Sequence, residues 1–193
     1  MNTGSIKHAL AIIFNNANIK IPFFVTAADT VWETLDEYRN THRGQLRFPF
    51  VLITNTDPIR RRGQHWTAWF VHSETRAEFF DPYGFSASRY RHIQWPAKNI
   101  IAETCSRLQS ERSTLCGAYC IHYCFCRALG ITYKQFLDLF TDRVLRNDNL
   151  IKNFICSIPK FKCYSSYKCP WNKLQSNTYK LDVPSFCKNV YTK

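Results

Sequence analysis

Apolar side chains recur three or four positions apart in the first forty residues of the chain. This spacing predicts helices over residues 5–15 and 27–39, with Ser5 as the candidate N-cap of the first. The segment from Cys116 to Leu129 is apolar nearly all round, and Gly130 follows it as a candidate C-cap. A helix that is apolar on every face belongs at the centre of a domain.

Other segments are rich in β-branched and aromatic residues, and strands are predicted for Phe48–Thr54, Trp66–His72 and Ala77–Asp81. A turn at residues 73–76 joins the last two strands into a hairpin. Because both faces of Trp66–Val71 are apolar, this segment is predicted to be a central strand that is covered on each side.

The C-terminal third predicts two more helices, Thr132–Leu145 and Asp148–Ile155, and an irregular segment after Pro159. The predicted fold class is therefore α+β. A small, mostly antiparallel central sheet is packed by helices, and a buried central helix carries Cys116 at its N-terminus. The length of 193 residues suits a single domain, residues 1–193.

Composition narrows the class of protein. A hydrophobic content of 45% excludes a disordered or fibrous chain. The longest apolar run, Leu115–Phe125, is shorter than the ~20 residues of a membrane span, so a soluble, non-secreted protein is expected. The 9 cysteines are odd in number and four crowd between Cys116 and Cys126, which favours reduced thiols in a reducing compartment.

Positive charge is strong and uneven. The net charge is +12, and residues 151–193 hold eight lysines against one acidic residue, Asp182. This asymmetry indicates a polyanionic partner, nucleic acid first, although a solvated basic face explains it equally well. The candidate nucleic-acid-binding residues are Arg60, Arg61, Arg62, Lys160, Lys162 and Lys168.

Three separated segments carry candidate chemistry. His65 stands at the entrance of one predicted strand, and Asp81 ends the next, so the hairpin brings the carboxylate near the imidazole. Cys116 lies in the first turn of the central helix, with Ser113 or Thr114 as a candidate cap. The helix dipole and a nearby imidazolium both favour a thiolate there, which is the reactive form of a nucleophilic cysteine.

Two neighbours of Cys116 complete this candidate site. Gln109, seven residues earlier, is a candidate oxyanion donor together with the backbone N–H of Cys116. Gly117 removes side-chain bulk where a substrate backbone approaches the sulfur. Each of these residues taken alone is more often structural, so the interpretation depends on their occurring together.

The order His, acid, Cys resembles the adenovirus-type endopeptidase (adenain) family and the related SUMO- and ubiquitin-like-protein proteases. The resemblance is carried by Gly63-x-His65-Trp66, by the string Phe-Phe-Asp-Pro-Tyr-Gly-Phe-Ser at residues 79–86, and by Gln109-x6-Cys116-Gly117. The seven-residue step from Gln109 to Cys116 is similar to the adenovirus branch. Similarity extends roughly from Phe48 to Phe161.

The resemblance implies that His65 is the general base, Asp81 its orienting acid, Cys116 the nucleophile and Gln109 the oxyanion donor. Trp66 would pack beside the imidazole and, with Gly117, contact substrate. The implied substrate is a viral precursor polypeptide cleaved near Gly-Gly or Gly-x-Gly. The implied setting is a monomer in the virion and the host-cell nucleus or cytoplasm, with no cofactor needed for the chemistry.

DNA or a short peptide activates members of the family, and both are carried over as candidate activators. Lys98 stands where the family has the cysteine that bonds its activating peptide, and Cys105 lies seven residues away, which argues against that mode of activation. The alternatives are an isopeptidase for ubiquitin-like proteins, an effector acetyltransferase and a non-enzymatic nucleic-acid-binding protein. The spacing of Cys156, Cys163, Cys169 and Cys187 matches no standard zinc finger, so no metal site is predicted.

Overall fold

A five-stranded sheet lies at the centre of the part of the chain that this computed structural model describes, residues 1–61 and 63–158. The strands lie side by side in chain order: β1 Phe23–Thr26, β2 Phe50–Asn55, β3 Trp66–Ser73, β4 Arg76–Phe80 and β5 Asn99–Glu103. The helices are α1 Thr3–Asn16, α2 Val31–Thr41, α3 Cys116–Ala128, α4 Tyr133–Leu137 and α5 Val144–Ser157. The predicted α+β class is confirmed.

The sheet is mixed, and the prediction of a mostly antiparallel sheet is wrong. β3 runs antiparallel to β2 and to β4, whereas the outer pairs β1–β2 and β4–β5 are parallel. Parallel neighbours need a crossover between them. The segment containing α2 supplies one crossover, and the segment with the 3₁₀ helix Ala87–Tyr90 supplies the other. The sequence analysis missed β1 and β5, which are the two edge strands.

Both faces of the sheet are covered, as predicted for its central strand. Alternate residues of β3 point to opposite faces, so that Ala68 and Phe70 join one apolar cluster while Trp69 and Val71 join the other. The first cluster is shared with α1, α3 and α5, and the second with α2. The strand is therefore held rigidly between two layers, with His65 directly before its first residue.

The central helix α3 is buried from Cys116 to Arg127, which confirms the prediction of a buried helix headed by the cysteine. It packs on β3 and is flanked by α1 and α5. Gly130, just after the C-cap Leu129, has φ +85°, a left-handed conformation that glycine adopts without a Cβ penalty. The predicted helix end at Gly130 is confirmed.

Several predicted helix boundaries are wrong. The N-cap of α1 is Asn2, whose side chain accepts the backbone N–H of Ser5, so Ser5 is not the cap. The segment 132–145, predicted as one helix, instead forms the short helix α4 followed by a turn that leads into α5. A capping box between Thr132 and Gln135 stabilises the N-terminus of α4. The Asn147 side chain accepts from the Thr141 backbone N–H and donates to the Thr141 carbonyl, and these bonds stabilise the turn.

Two expectations concern other parts of the chain. No helix among the described residues has the length and apolar character needed to cross a bilayer. The prediction of an irregular segment after Pro159 lies outside the described residues, as do Arg62 and the basic candidates Lys160, Lys162 and Lys168.

Candidate active site

Cys116 is the first residue of α3, where helix geometry leaves backbone N–H groups without intrahelical partners. The predicted side-chain cap from Ser113 or Thr114 is wrong. Leu115 holds the N-cap position without a side-chain cap bond, and the Ser113 hydroxyl oxygen accepts the Leu115 N–H at 3.3 Å. The N–H groups at the start of the helix are therefore not taken up by a capping side chain.

The predicted hairpin brings His65 and Asp81 together. Nε2 of His65 lies 2.9 Å from Oδ1 of Asp81, and both side chains are buried. The register explains this contact, because the pairing of Ala68 with Phe80 places Asp81 one residue beyond β4, near the start of β3. The ring of Tyr83 stacks on the imidazole at a centroid separation of 4.8 Å.

The Asp81 carboxylate accepts hydrogen bonds from three groups. Besides His65, the backbone N–H of Tyr83 donates to Oδ1 at 2.7 Å, and the Tyr90 hydroxyl donates to Oδ2 at 2.7 Å. Since an ionised carboxylate only accepts, this arrangement fits an Nε2–H of His65 as donor. The sequence analysis missed Tyr90, because nothing in the spacing of a tyrosine nine residues after Asp81 marks it as a partner.

Electrostatics link His65 to Cys116. Burial by itself lowers the pKa of His65, but the hydrogen bond to Asp81 and the adjacent Cys116 outweigh burial and raise that pKa to about 9. For the Cys116 thiol, whose charged form is the anion, burial acts in the opposite direction and raises the pKa. His65, together with the backbone N–H groups of Trp66 and Gly117, reverses that effect and holds the pKa below its ordinary value. Both shifts act in the direction of a thiolate–imidazolium pair.

The second ring nitrogen of His65, Nδ1, is buried and makes no hydrogen bond of ordinary geometry with any residue that the structure describes. Nε2 is occupied by Asp81, so Nδ1 is the nitrogen left to exchange a proton with the Cys116 sulfur. Each residue shifts the pKa of the other, through both hydrogen bonding and charge: Cys116 raises that of His65, and His65 lowers that of Cys116.

Gln109 is fully buried against the loop that leads into the cysteine. Its Nε2 donates to the Ser113 carbonyl at 2.7 Å, which orients the amide, because its oxygen cannot face another carbonyl oxygen. Oε1 is buried without a hydrogen-bond partner among the described residues. The structure thus brings Gln109 close to the segment preceding Cys116, and its second amide N–H donates to no residue of that described part of the chain. Its role as oxyanion donor stays a prediction.

Trp66 and Gly117 lie beside each other, next to the start of α1. A Cβ added at Gly117 would lie 3.2 Å from Ile6 and 3.4 Å from both Met1 and Trp66, so the absence of a side chain admits this packing. Trp66 donates its Nε1–H to the Met1 carbonyl at 3.3 Å. Contact of either residue with substrate stays a prediction.

A cleft of about 220 Å³ opens beside Trp66, between α1 and the loop that precedes His65. The loop residues Asp57, Arg61 and Gly63 contribute to its wall. Arg60 and Arg61 are exposed in this loop. The nucleic-acid-binding assignment of the basic residues stays a prediction.

Comparison of the chain with models of known protein families and with curated proteins gave no match. Among the described residues, no group of three or more His, Cys, Asp or Glu side chains is arranged to hold a metal ion.

Replacing Tyr90 with Phe is expected to remove one hydrogen bond from the Asp81 carboxylate while keeping the ring in place. A hydrogen bond to a charged group contributes about 1.5–3 kcal/mol, so the free energy of unfolding should fall by that amount. Denaturant titration measures the effect. Tyr38→Phe, on α2, is the matched control and should change the free energy of unfolding by little. A Tyr90→Phe variant as stable as the wild type would show that this bond does not stabilise the buried carboxylate.

Proposed function

We propose that this protein is a cysteine endopeptidase of the adenain type. The observation that supports this most strongly is the hydrogen bond between Asp81 and the His65 ring, together with the effect of that ring on Cys116, whose thiol pKa is lowered although the sulfur is buried. A buried cysteine in an apolar helix ordinarily has a raised pKa, as Cys120 and Cys124 have on the same helix. The reversal at Cys116 is what nucleophilic catalysis needs.

In the proposed acylation, the Cys116 thiolate attacks the carbonyl carbon of the scissile peptide bond. A carbon–sulfur bond forms, and the carbonyl π electrons move to the oxygen, giving a tetrahedral oxyanion. The Gln109 amide and the Cys116 backbone N–H donate to that oxygen. His65 then gives its proton to the leaving nitrogen as the carbon–nitrogen bond breaks, and Asp81 keeps the ring oriented throughout.

Deacylation uses the same groups in reverse. Neutral His65 takes a proton from a water molecule, and the resulting hydroxide adds to the thioester carbon. Collapse of the second tetrahedral intermediate breaks the carbon–sulfur bond and restores the thiolate beside a protonated imidazole. Each proton that His65 gives away in the first half is recovered in the second, so no cofactor is consumed.

The proposed substrate is a viral precursor polypeptide cleaved near Gly-Gly or Gly-x-Gly. The resemblance of the motifs around His65, Asp81 and Cys116 supports this choice, and the cleft beside Trp66 is the proposed place for the segment preceding the scissile bond. The same three residues would serve an isopeptidase for ubiquitin-like proteins. A tetrapeptide library compared with a ubiquitin-type fusion distinguishes these two classes of substrate.

With the best library substrate, Gln109→Ala is expected to lower kcat by about 10–10³-fold and to change KM much less, because the oxyanion exists only after attack. Steady-state kinetics of the wild type and the variant measure both constants. If Gln109→Ala raises KM alone, Gln109 binds substrate and is not an oxyanion donor. A wild-type protein that cleaves neither the library nor the fusion would reject the endopeptidase proposal.

A further inference from the structure

A buried carboxylate on α5 joins two segments of the proposed active site. Asp148, which is 4% exposed, accepts the Ser110 hydroxyl on Oδ2 at 2.7 Å and the Tyr119 hydroxyl on Oδ1 at 2.9 Å. Ser110 directly follows Gln109, and Tyr119 lies on α3 one turn beyond Cys116. The carboxylate therefore bridges the segment of the proposed oxyanion donor to the helix of the proposed nucleophile.

Leu108, which directly precedes Gln109, is also held by side chains of α3 and α5. The Leu108 carbonyl accepts from the Tyr119 hydroxyl and from Nδ2 of Asn147, each at 3.1 Å. Since the tyrosine has one hydroxyl hydrogen, Leu108 and Asp148 share it. On the opposite side, the backbone N–H groups of Leu108 and Gln109 both donate to the Pro82 carbonyl, at 2.9 and 3.0 Å.

Pro82 is the residue after Asp81, so these bonds tie the Gln109 segment to the catalytic acid as well. The backbone around Gln109 is consequently held from three directions: by the Asp81 loop, by α3 and by α5. Burying a carboxylate is costly unless it is hydrogen-bonded, and Asp148 receives two such bonds. Burial and the charge of Asp148 also raise the pKa of Tyr119, which keeps its hydroxyl protonated and able to donate.

We propose that Asp148 is a positioning residue that fixes the position of Gln109 relative to Cys116. It does so through its hydrogen bonds to Ser110, next to Gln109, and to Tyr119, on the helix of Cys116. This inference rests on the proposed function. An oxyanion donor is effective only at 2.7–3.1 Å from the developing charge, and a misplacement of about 1 Å can cost 10²-fold in rate. Gln109 lies in a segment without helix or strand structure, so side-chain bonds have to supply the rigidity that a regular element would give.

The decisive experiment is a double-mutant cycle between Asp148→Ala and Gln109→Ala, measured as kcat and KM on one peptide substrate. Alone, Asp148→Ala is expected to lower kcat by about 10–10²-fold with a small change in KM. In the Gln109→Ala background it should lower kcat by less than about twofold, because the group that it positions is already absent.

Three further variants keep the test informative if Asp148→Ala folds poorly. Tyr119→Phe and Ser110→Ala each remove one arm of the bridge, and each should lower kcat by a smaller factor that also vanishes without Gln109. Asp148→Asn keeps one acceptor oxygen and should restore part of the rate. Asp138→Ala, an exposed acid paired with Lys134, is the control and should leave kcat unchanged.

The iodoacetamide reactivity of Cys116 at pH 7 separates positioning from damage to the His65–Cys116 pair, and it should be unchanged in the Asp148 variants. Equal losses of kcat with and without Gln109, or a loss of thiol reactivity, would overturn the positioning role and leave Asp148 as a support of the fold. If the wild type alkylates rapidly but cleaves no peptide, the endopeptidase proposal falls and the role of Asp148 in it falls as well.

Discussion

Cys116→Ala is expected to abolish peptide hydrolysis, lowering kcat by at least about 10⁴-fold. The reason is that the neighbouring thiols of Cys120 and Cys124 on α3 cannot replace it. Burial raises the pKa values of Cys120 and Cys124 well above the ordinary thiol range, whereas His65 holds that of Cys116 below it. Steady-state hydrolysis of the best library peptide, with active-site titration of the wild type, measures the loss.

Cys124→Ala is the matched control, since it removes a thiol from the same helix at a fully buried position. It should keep kcat and lose only stability, as expected of a core truncation. Cys120→Ala should also keep the chemistry, although Cys120 donates to the Trp66 carbonyl and so touches a neighbour of the site. Retained turnover in Cys116→Ala would reject the assignment of the nucleophile.

His65→Ala is expected to remove both the thiolate and the proton donor, with a loss of kcat about as large as that of Cys116→Ala. Without the imidazolium, burial raises the pKa of the Cys116 thiol against only the backbone N–H groups of Trp66 and Gly117. The rate of alkylation by iodoacetamide at pH 7 should therefore fall together with turnover. Normal alkylation in His65→Ala would show that the helix N-terminus alone sustains the thiolate.

The pH dependence of the wild type follows from the raised pKa of His65, about 9 against an ordinary value of 6.5. A raised pKa keeps the imidazole protonated through neutral pH and releases the proton as pH rises through about 9. Turnover should then fall on the alkaline side, because the leaving nitrogen no longer receives a proton from His65. Alkylation should persist there, since it needs only the thiolate. A parallel alkaline loss of both rates would contradict this assignment.

Local pattern predicted the parts of the fold that depend on neighbours in sequence. The sequence predicted the β3–β4 hairpin, the burial of both faces of β3 at Trp69 and Phe70, and the buried helix α3. Each of these features is visible in the order of apolar and polar residue types. The two edge strands were missed because β1 is only four residues long and β5 alternates between exposed and half-buried positions, so neither has a distinctive apolar run. The parallel pairing of both strands is a consequence of crossovers that periodicity does not reveal.

The residues of the candidate site likewise fall into those that a local pattern marks and those that only tertiary contacts place there. His65, Asp81 and Cys116 could be selected because each stands at the end of a regular element, where a pattern marks its place. Tyr90 and Asp148 reach the site from a 3₁₀ helix and from α5, through contacts that only the tertiary structure brings about. Their residue types are ordinary for a surface turn and an amphipathic helix, so no local signal distinguishes them.

Burial raises the pKa of the Cys116 thiol and His65 lowers it, so the reactivity of this thiol measures how completely the site has folded. In an unfolded chain His65 is no longer held beside Cys116, and the Cys116 thiol returns to the ordinary pKa of an exposed cysteine. Partial assembly that buries Cys116 before the imidazole is in place makes the thiol less reactive than in the unfolded state. Only the complete arrangement of hairpin and helix places the imidazole where it lowers the pKa of the Cys116 thiol, so Cys116 gains its distinctive reactivity only as the site folds.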